Sequence, residues 1–144
     1  MTFFCSACEA SEVLETAMFS HRLAVPADMP DLQRLMTAAI THLLPQFLSP
    51  EKVEASFAVM GVDSQLITDG TYFILEEDGV MAGCGGWSRR ATLFGHNHTA
   101  GRDARLLDPA SEAARIRAMY TAPAMAANSR VLVRLFICTP FGWE

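Results

Sequence analysis

The sequence predicts a single α/β domain of the α+β kind, a mixed and mainly antiparallel sheet flanked by helices. Three observations carry this. Apolar segments on either side of Asp78-Gly79 have the form of a β-hairpin, because Asp-Gly is the residue pair a two-residue turn prefers. Upstream, Leu32, Leu35, Met36, Ile40, Leu43 and Leu44 recur at helical spacing. Downstream of a long polar stretch, "ARIRAMYT" returns to the two-residue alternation of a strand. At 144 residues and 51% hydrophobic, the chain has the size of one globular domain with a real core.

Each element has its own local reason. Residues 1–17 read as an added leader, with a short helix around 12–17, ahead of one domain over 18–144. The first strand is expected at 22–25, broken by Pro26. Asp28 and Asp31 then stand where a helix amino terminus favours negative charge, and Pro45 ends that helix. Ser49-Pro50-Glu51 supplies a cap residue, a proline at the first helical position and an acid in the first turn. The second helix that follows has Val53, Phe57 and Met60 on its apolar face. Residues 72–77 and 80–88 pair antiparallel across the Asp-Gly turn. Residues 88–113 form a polar excursion of a length that in compact domains is often functional or disordered. The strand after it places Ile116, Ala118 and Tyr120 on one face and Arg115, Arg117 and Met119 on the other.

Charge and leader composition exclude some functions. A net charge of -5 with scattered arginines argues against nucleic-acid or anionic-membrane partners, because phosphates must be met by clustered Lys and Arg. The amino terminus has neither a basic leader nor the ~20 apolar residues of a spanning helix, so a soluble cytoplasmic protein is expected.

Several short motifs have to be weighed. Cys5-Ser-Ala-Cys8 has the spacing of half a zinc site or a redox pair, but no second pair follows, and reduced thiols on the leader are the favoured reading. His96 and His98 lie in a polar stretch without a carboxylate or cysteine to complete a ligand set, so no metal is expected. Glu76, Glu77 and Asp78 sit at a turn and read as a solvated tip rather than a catalytic pair. The glycines of "GCGGWSRR" lie inside a hairpin strand. A phosphate cradle needs them between a strand end and a helix start, so here they suit a bulge or the close approach of a backbone or ligand. Trp87 and the polar residues after it emerge at the end of the sheet, either packed and solvated or in contact with a substrate.

The order strand, helix, helix, hairpin, loop, strand, with "RLAVPADMPDLQRLM", "VDSQLITDGTYFILEEDGVMAGCGGWSRR" and "RIRAMYTAPAMA", resembles the amino-terminal two thirds of the GNAT superfamily of N-acetyltransferases. The resemblance spans about residues 22–126. It implies acetyl-CoA as cofactor and a small-molecule or peptide amine as acceptor. It also implies a bulge in the fourth strand whose backbone amide meets the thioester carbonyl, where the oxyanion of acyl transfer needs a donor. The matching segment is Ala118-Met119-Tyr120-Thr121. This marks Met119 and Tyr120 as catalytic through their main chain, and Met119, Tyr120 and Thr121 as cofactor contacts. The side chains of Met119 and Tyr120 suit ordinary core and sheet packing. Trp87, Arg89 and Phe47 are the expected acceptor contacts.

Beyond about residue 126 the sequence departs from the family pattern. The glycines that would cradle the pyrophosphate fall on Ser129 and Val131, and the branched Val131 side chain obstructs the approach that glycine permits. "RVLVRLFIC" reads as a strand instead, so the carboxyl-terminal part of the fold is expected to be incomplete and acetyl-CoA binding impaired. Two functions follow. One is an acetyl-CoA-dependent N-acetyltransferase. The other is a catalytically silent relative that acts as a binding or dimerising module, a homodimer pairing through 131–137.

Overall fold

The Asp78-Gly79 turn sets the sheet. Both residues have positive φ, 50° and 80°, as a two-residue hairpin requires. The turn joins β2 (Tyr72–Glu77) to β3 (Val80–Ser88) at the expected boundaries. A computed structural model describes residues 19–92, 94–97 and 99–128. In it β1 (Phe19–Leu23) lies against β2 and β4 (Arg115–Thr121) against β3, giving the order β1-β2-β3-β4 with every pair antiparallel. The first strand therefore starts earlier than its sequence pattern suggests. Phe19 pairs with Glu77 at the hairpin end, so β1 uses the whole edge of β2. It stops where the Val25 N–H leaves the ladder for the Asp28 carboxylate at 2.8 Å.

Helix α1 (Met29–Leu43) buries Leu32, Leu35, Met36, Ala39 and Ile40 against the sheet, the stripe that its periodicity announces. The chain then tightens into a 3₁₀ turn (Leu44–Gln46) containing Pro45, which ends the helix as expected. Helix α2 (Pro50–Ser56) opens on Ser49-Pro50 but is short. Phe57 falls beyond its end, 36% exposed, so the predicted face of Val53, Phe57 and Met60 is not one helical stripe. A five-residue helix, α3 (Ser64–Thr68), was not announced by any periodicity. The Asp63 carboxylate caps it by accepting from the Gln65 N–H at 3.1 Å, and Leu66 and Ile67 are buried beneath it.

The core lies between α1, α3 and one face of the sheet, where Tyr72, Ile74, Cys84 and Tyr120 meet the helices. Leu75 and Ala82 face the other way with Phe19, Phe73 and Met125. Gly86 belongs to the first face, and its lack of a side chain serves the fold. A Cβ there would lie 2.2 Å from the Thr71 carbonyl oxygen, so the close approach that glycine permits is to the chain's own backbone.

The long excursion over 89–114 is tied down along its described length. Arg90 bridges to Leu106, the Leu107 N–H donates to the Arg89 carbonyl at 2.7 Å, and the Ala91 N–H donates to the Arg105 carbonyl at 2.8 Å. Arg90 clasps Asp69 at 2.6 and 2.7 Å, and Arg102 donates to Asp63 at 2.7 Å. Asn97 accepts from both the N–H and the hydroxyl of Ser64, which fastens the excursion to the start of α3. Among the described residues no helix is long and apolar enough to cross a membrane. The 1–17 leader with its Cys5/Cys8 pair, His98, the Ser129 and Val131 positions and the segment 131–137 expected to form a strand lie outside the described residues.

Candidate functional site

The strand pairing breaks where β4 meets the middle of β3. Cys84 pairs with Tyr120 and Gly86 with Arg117, so Ala118 and Met119 together stand opposite Gly85 alone. Two residues against one make a β-bulge. Ala118 carries the strain of it, at φ 51°, a conformation usually left to glycine. The bulge also overturns the expected alternation of this strand. One extra residue reverses the parity, so Arg117 and Tyr120 both turn inward, 5% and 9% exposed, while Ile116 is 66% exposed.

Beneath the bulge lies a buried polar group. The Tyr72 hydroxyl donates to the Ala118 carbonyl at 2.7 Å and lies 3.2 Å from the Cys84 sulfur. Burial holds the Tyr72 phenol well above its ordinary range and pushes the Cys84 thiol up to about 12, so both stay protonated near neutral pH. Tyr120 is raised in the same direction, chiefly by burial, although the Gly61 backbone N–H donates to its oxygen.

Two cavities flank the bulge. The larger, about 400 Å³, lies between the end of α1 and the outer part of β4 and is lined by Leu43, Leu44, Phe47, Met119, Tyr120 and Thr121 among others. The smaller, about 250 Å³, includes Gly61, Phe94, Ile116, Arg117, Met119 and Tyr120 in its wall. Met60, Met119 and Tyr120 are common to both. Neither lining holds a carboxylate or an imidazole among the described residues, and Arg117 is the one charged side chain.

That arginine is committed elsewhere. Its guanidinium donates to Asp63 at 3.1 Å and to the carbonyls of Thr92 and Gly95 at 2.9 and 3.0 Å. Asp63 therefore caps α3 and anchors two arginines at once, with its side chain 1% exposed. Sequence spacing gave no sign of this cluster, because Asp63 and Arg117 are 54 residues apart.

Four of the six sequence-derived site residues meet at one place: Phe47, Met119, Tyr120 and Thr121 line the larger cavity. Trp87 and Arg89 line neither cavity. Trp87 pairs with Ile116 at the end of β3 and its N–H donates to the Thr71 carbonyl at 3.1 Å. Arg89 is exposed, with its carbonyl holding Leu107. His96 approaches the Ala58 carbonyl at 3.2 Å, and no group of three or more His, Cys, Asp or Glu side chains suited to a metal occurs among the described residues.

No protein-family model matches the chain, and no curated protein matches it significantly. Among solved structures, the chain is similar to N-acetylglutamate synthase from Neisseria gonorrhoeae, determined with coenzyme A and N-acetyl-glutamate, at 20% identity and a TM-score of 0.41. That similarity covers 84% of this chain and 22% of the other.

Proposed function

We propose that this chain is an N-acetyltransferase that takes an acetyl group from acetyl-CoA and delivers it to an amine acceptor at the β4 bulge. The observation that carries the reading is the bulge itself, at Ala118-Met119 and open to two cavities, in the segment where the family resemblance expects one. The thioester end of acetyl-CoA fits what is present. A backbone amide beside an apolar cavity of about 400 Å³ suits a small acyl group, and Met119, Tyr120 and Thr121 would hold it. Acetyl-CoA supplies the activated acyl group, and the Met119 N–H would donate to its carbonyl oxygen, where negative charge grows during transfer.

Phe47, 80% exposed on the cavity wall, would hold the apolar part of the acceptor. Trp87 and Arg89 are assigned to an acceptor that extends along the sheet beyond the cavities. Because no described lining residue offers a carboxylate or imidazole, the amine on this reading loses its proton to solvent. Its rate then rises with pH up to the pKa of the acceptor amine itself, which a pH series with two amines of different basicity checks.

The direct test is isothermal titration of the purified chain with acetyl-CoA and with CoA, followed by thiol release in the presence of a panel of amines. Binding of acetyl-CoA in preference to CoA supports the reading, and no binding of either overturns it. A second reading, a non-catalytic module that pairs through its sheet edge, draws support from β4, which ends the described sheet and leaves Ile116 66% exposed.

A further inference from the structure

We propose that Tyr72 is the positioning residue of the β4 bulge: its hydroxyl holds the Ala118 carbonyl and thereby sets the direction of the Met119 N–H. The inference rests on reading the bulge as the thioester site, and it deepens that reading by naming what aims the amide.

No peptide bond in the described chain is cis, so the Ala118 carbonyl and the Met119 N–H point to opposite sides of one rigid plane. Fixing one fixes the other. The positive φ of Ala118 bends the strand out of regular pairing, and a half-buried carbonyl at such a bend gains from a donor inside the protein. Tyr72 supplies it at 2.7 Å from β2, across the intervening strand β3.

Tyr72 is itself immobile. It is 2% exposed, packed in the core with Ile74 and Cys84, and its backbone pairs with Gly86, whose missing side chain lets the strands sit that close. A tyrosine at the centre of an apolar core needs a partner for its hydroxyl, and the shorter of its two contacts is to the strained carbonyl two strands away, the other being to the Cys84 sulfur at 3.2 Å. Phenylalanine would fill the same space without the hydrogen bond. The polar tip is therefore needed at the bulge and not for packing.

Tyr72→Phe is the test, with Ile74→Val as a control that loosens the same core face without touching the bulge. In the free protein, the ¹⁵N–¹H resonance of Met119 and its hydrogen-exchange protection report the peptide plane. With ligands, titration gives the ratio of acetyl-CoA to CoA affinity. Tyr72→Phe is expected to shift the Met119 resonance, speed its exchange and lower the affinity ratio roughly 3- to 10-fold, the range of one hydrogen bond. Ile74→Val should change none of the three. An unmoved Met119 resonance with an unchanged ratio in Tyr72→Phe would overturn the proposal, as would equal losses in both variants. Should the parent chain bind CoA and acetyl-CoA alike, the thioester reading fails, and the Met119 resonance alone decides whether Tyr72 aims the bulge.

Discussion

Gly86 illustrates how the neighbours of one residue decide between two readings of it. Its setting in "GCGGW" suits the close approach of either a backbone or a ligand, and on the ligand view a valine there would reduce acyl transfer more than stability. The Thr71 carbonyl, 2.2 Å from where a Cβ would stand, reverses the order of effects. We predict that Gly86→Val destabilises the fold by at least the roughly 1–3 kcal/mol of an overpacked core, read from urea denaturation. Any activity would fall in proportion to the folded fraction. Full stability in this variant would return Gly86 to the ligand side. Phe47 is the opposite case. Its ring is 80% exposed, so Phe47→Ala should leave the urea midpoint nearly unchanged while raising the KM for the acceptor several-fold. A KM that stays put would remove Phe47 from the acceptor site.

Helix α3 and the 89–114 excursion stand or fall together, because carboxylates on one are held by arginines on the other. Asp63→Asn leaves the 4%-exposed Arg117 without its anion and should cost about 3–5 kcal/mol, whereas Arg102→Ala, at the more exposed end of the cluster, should cost about 1 kcal/mol. Hydrogen exchange over residues 99–107 would locate the loss. The neighbouring pairs add a pH dependence. Arg90 holds the Asp69 carboxyl below its ordinary range, Arg22 does so for Asp28, and Arg105 brings Glu112 down to about 2. Each group binds protons more readily in the unfolded chain, so stability rises with pH through this window. It should be fully present above the ordinary carboxyl value of roughly 4 and lost progressively toward about 2. Urea midpoints between pH 7 and 2 would show this slope, and Asp69→Asn should lower the plateau and flatten the fall.

Across the whole molecule, features written in short stretches of sequence were legible and those made by distant partners were not. The hairpin could be read because Asp78-Gly79 and two alternating runs lie side by side, and α1 because its stripe repeats over four turns. Helix α3 is too short to show a period, and no local pattern reveals that Ala118-Met119 opposes one residue of β3. The meeting of Phe47 with Met119, Tyr120 and Thr121 in one cavity is likewise made by distant partners, and Trp87, expected beside Phe47, lines neither cavity. The edge of the sheet offers a test at this scale. If β4 recruits a second copy, Ile116→Lys should shift the protein toward monomer in light scattering, and a parent chain monomeric at all concentrations would refute the pairing reading. Ala118 has a consequence for how such a protein is improved or drifts. At φ 51° a glycine would relax the backbone, so Ala118→Gly should raise stability by roughly 0.5 kcal/mol while the amide that follows exchanges faster. A thermal screen would select that change and call it a gain. The Met119 amide, whose exchange rate a melting temperature does not report, would show what that gain had loosened.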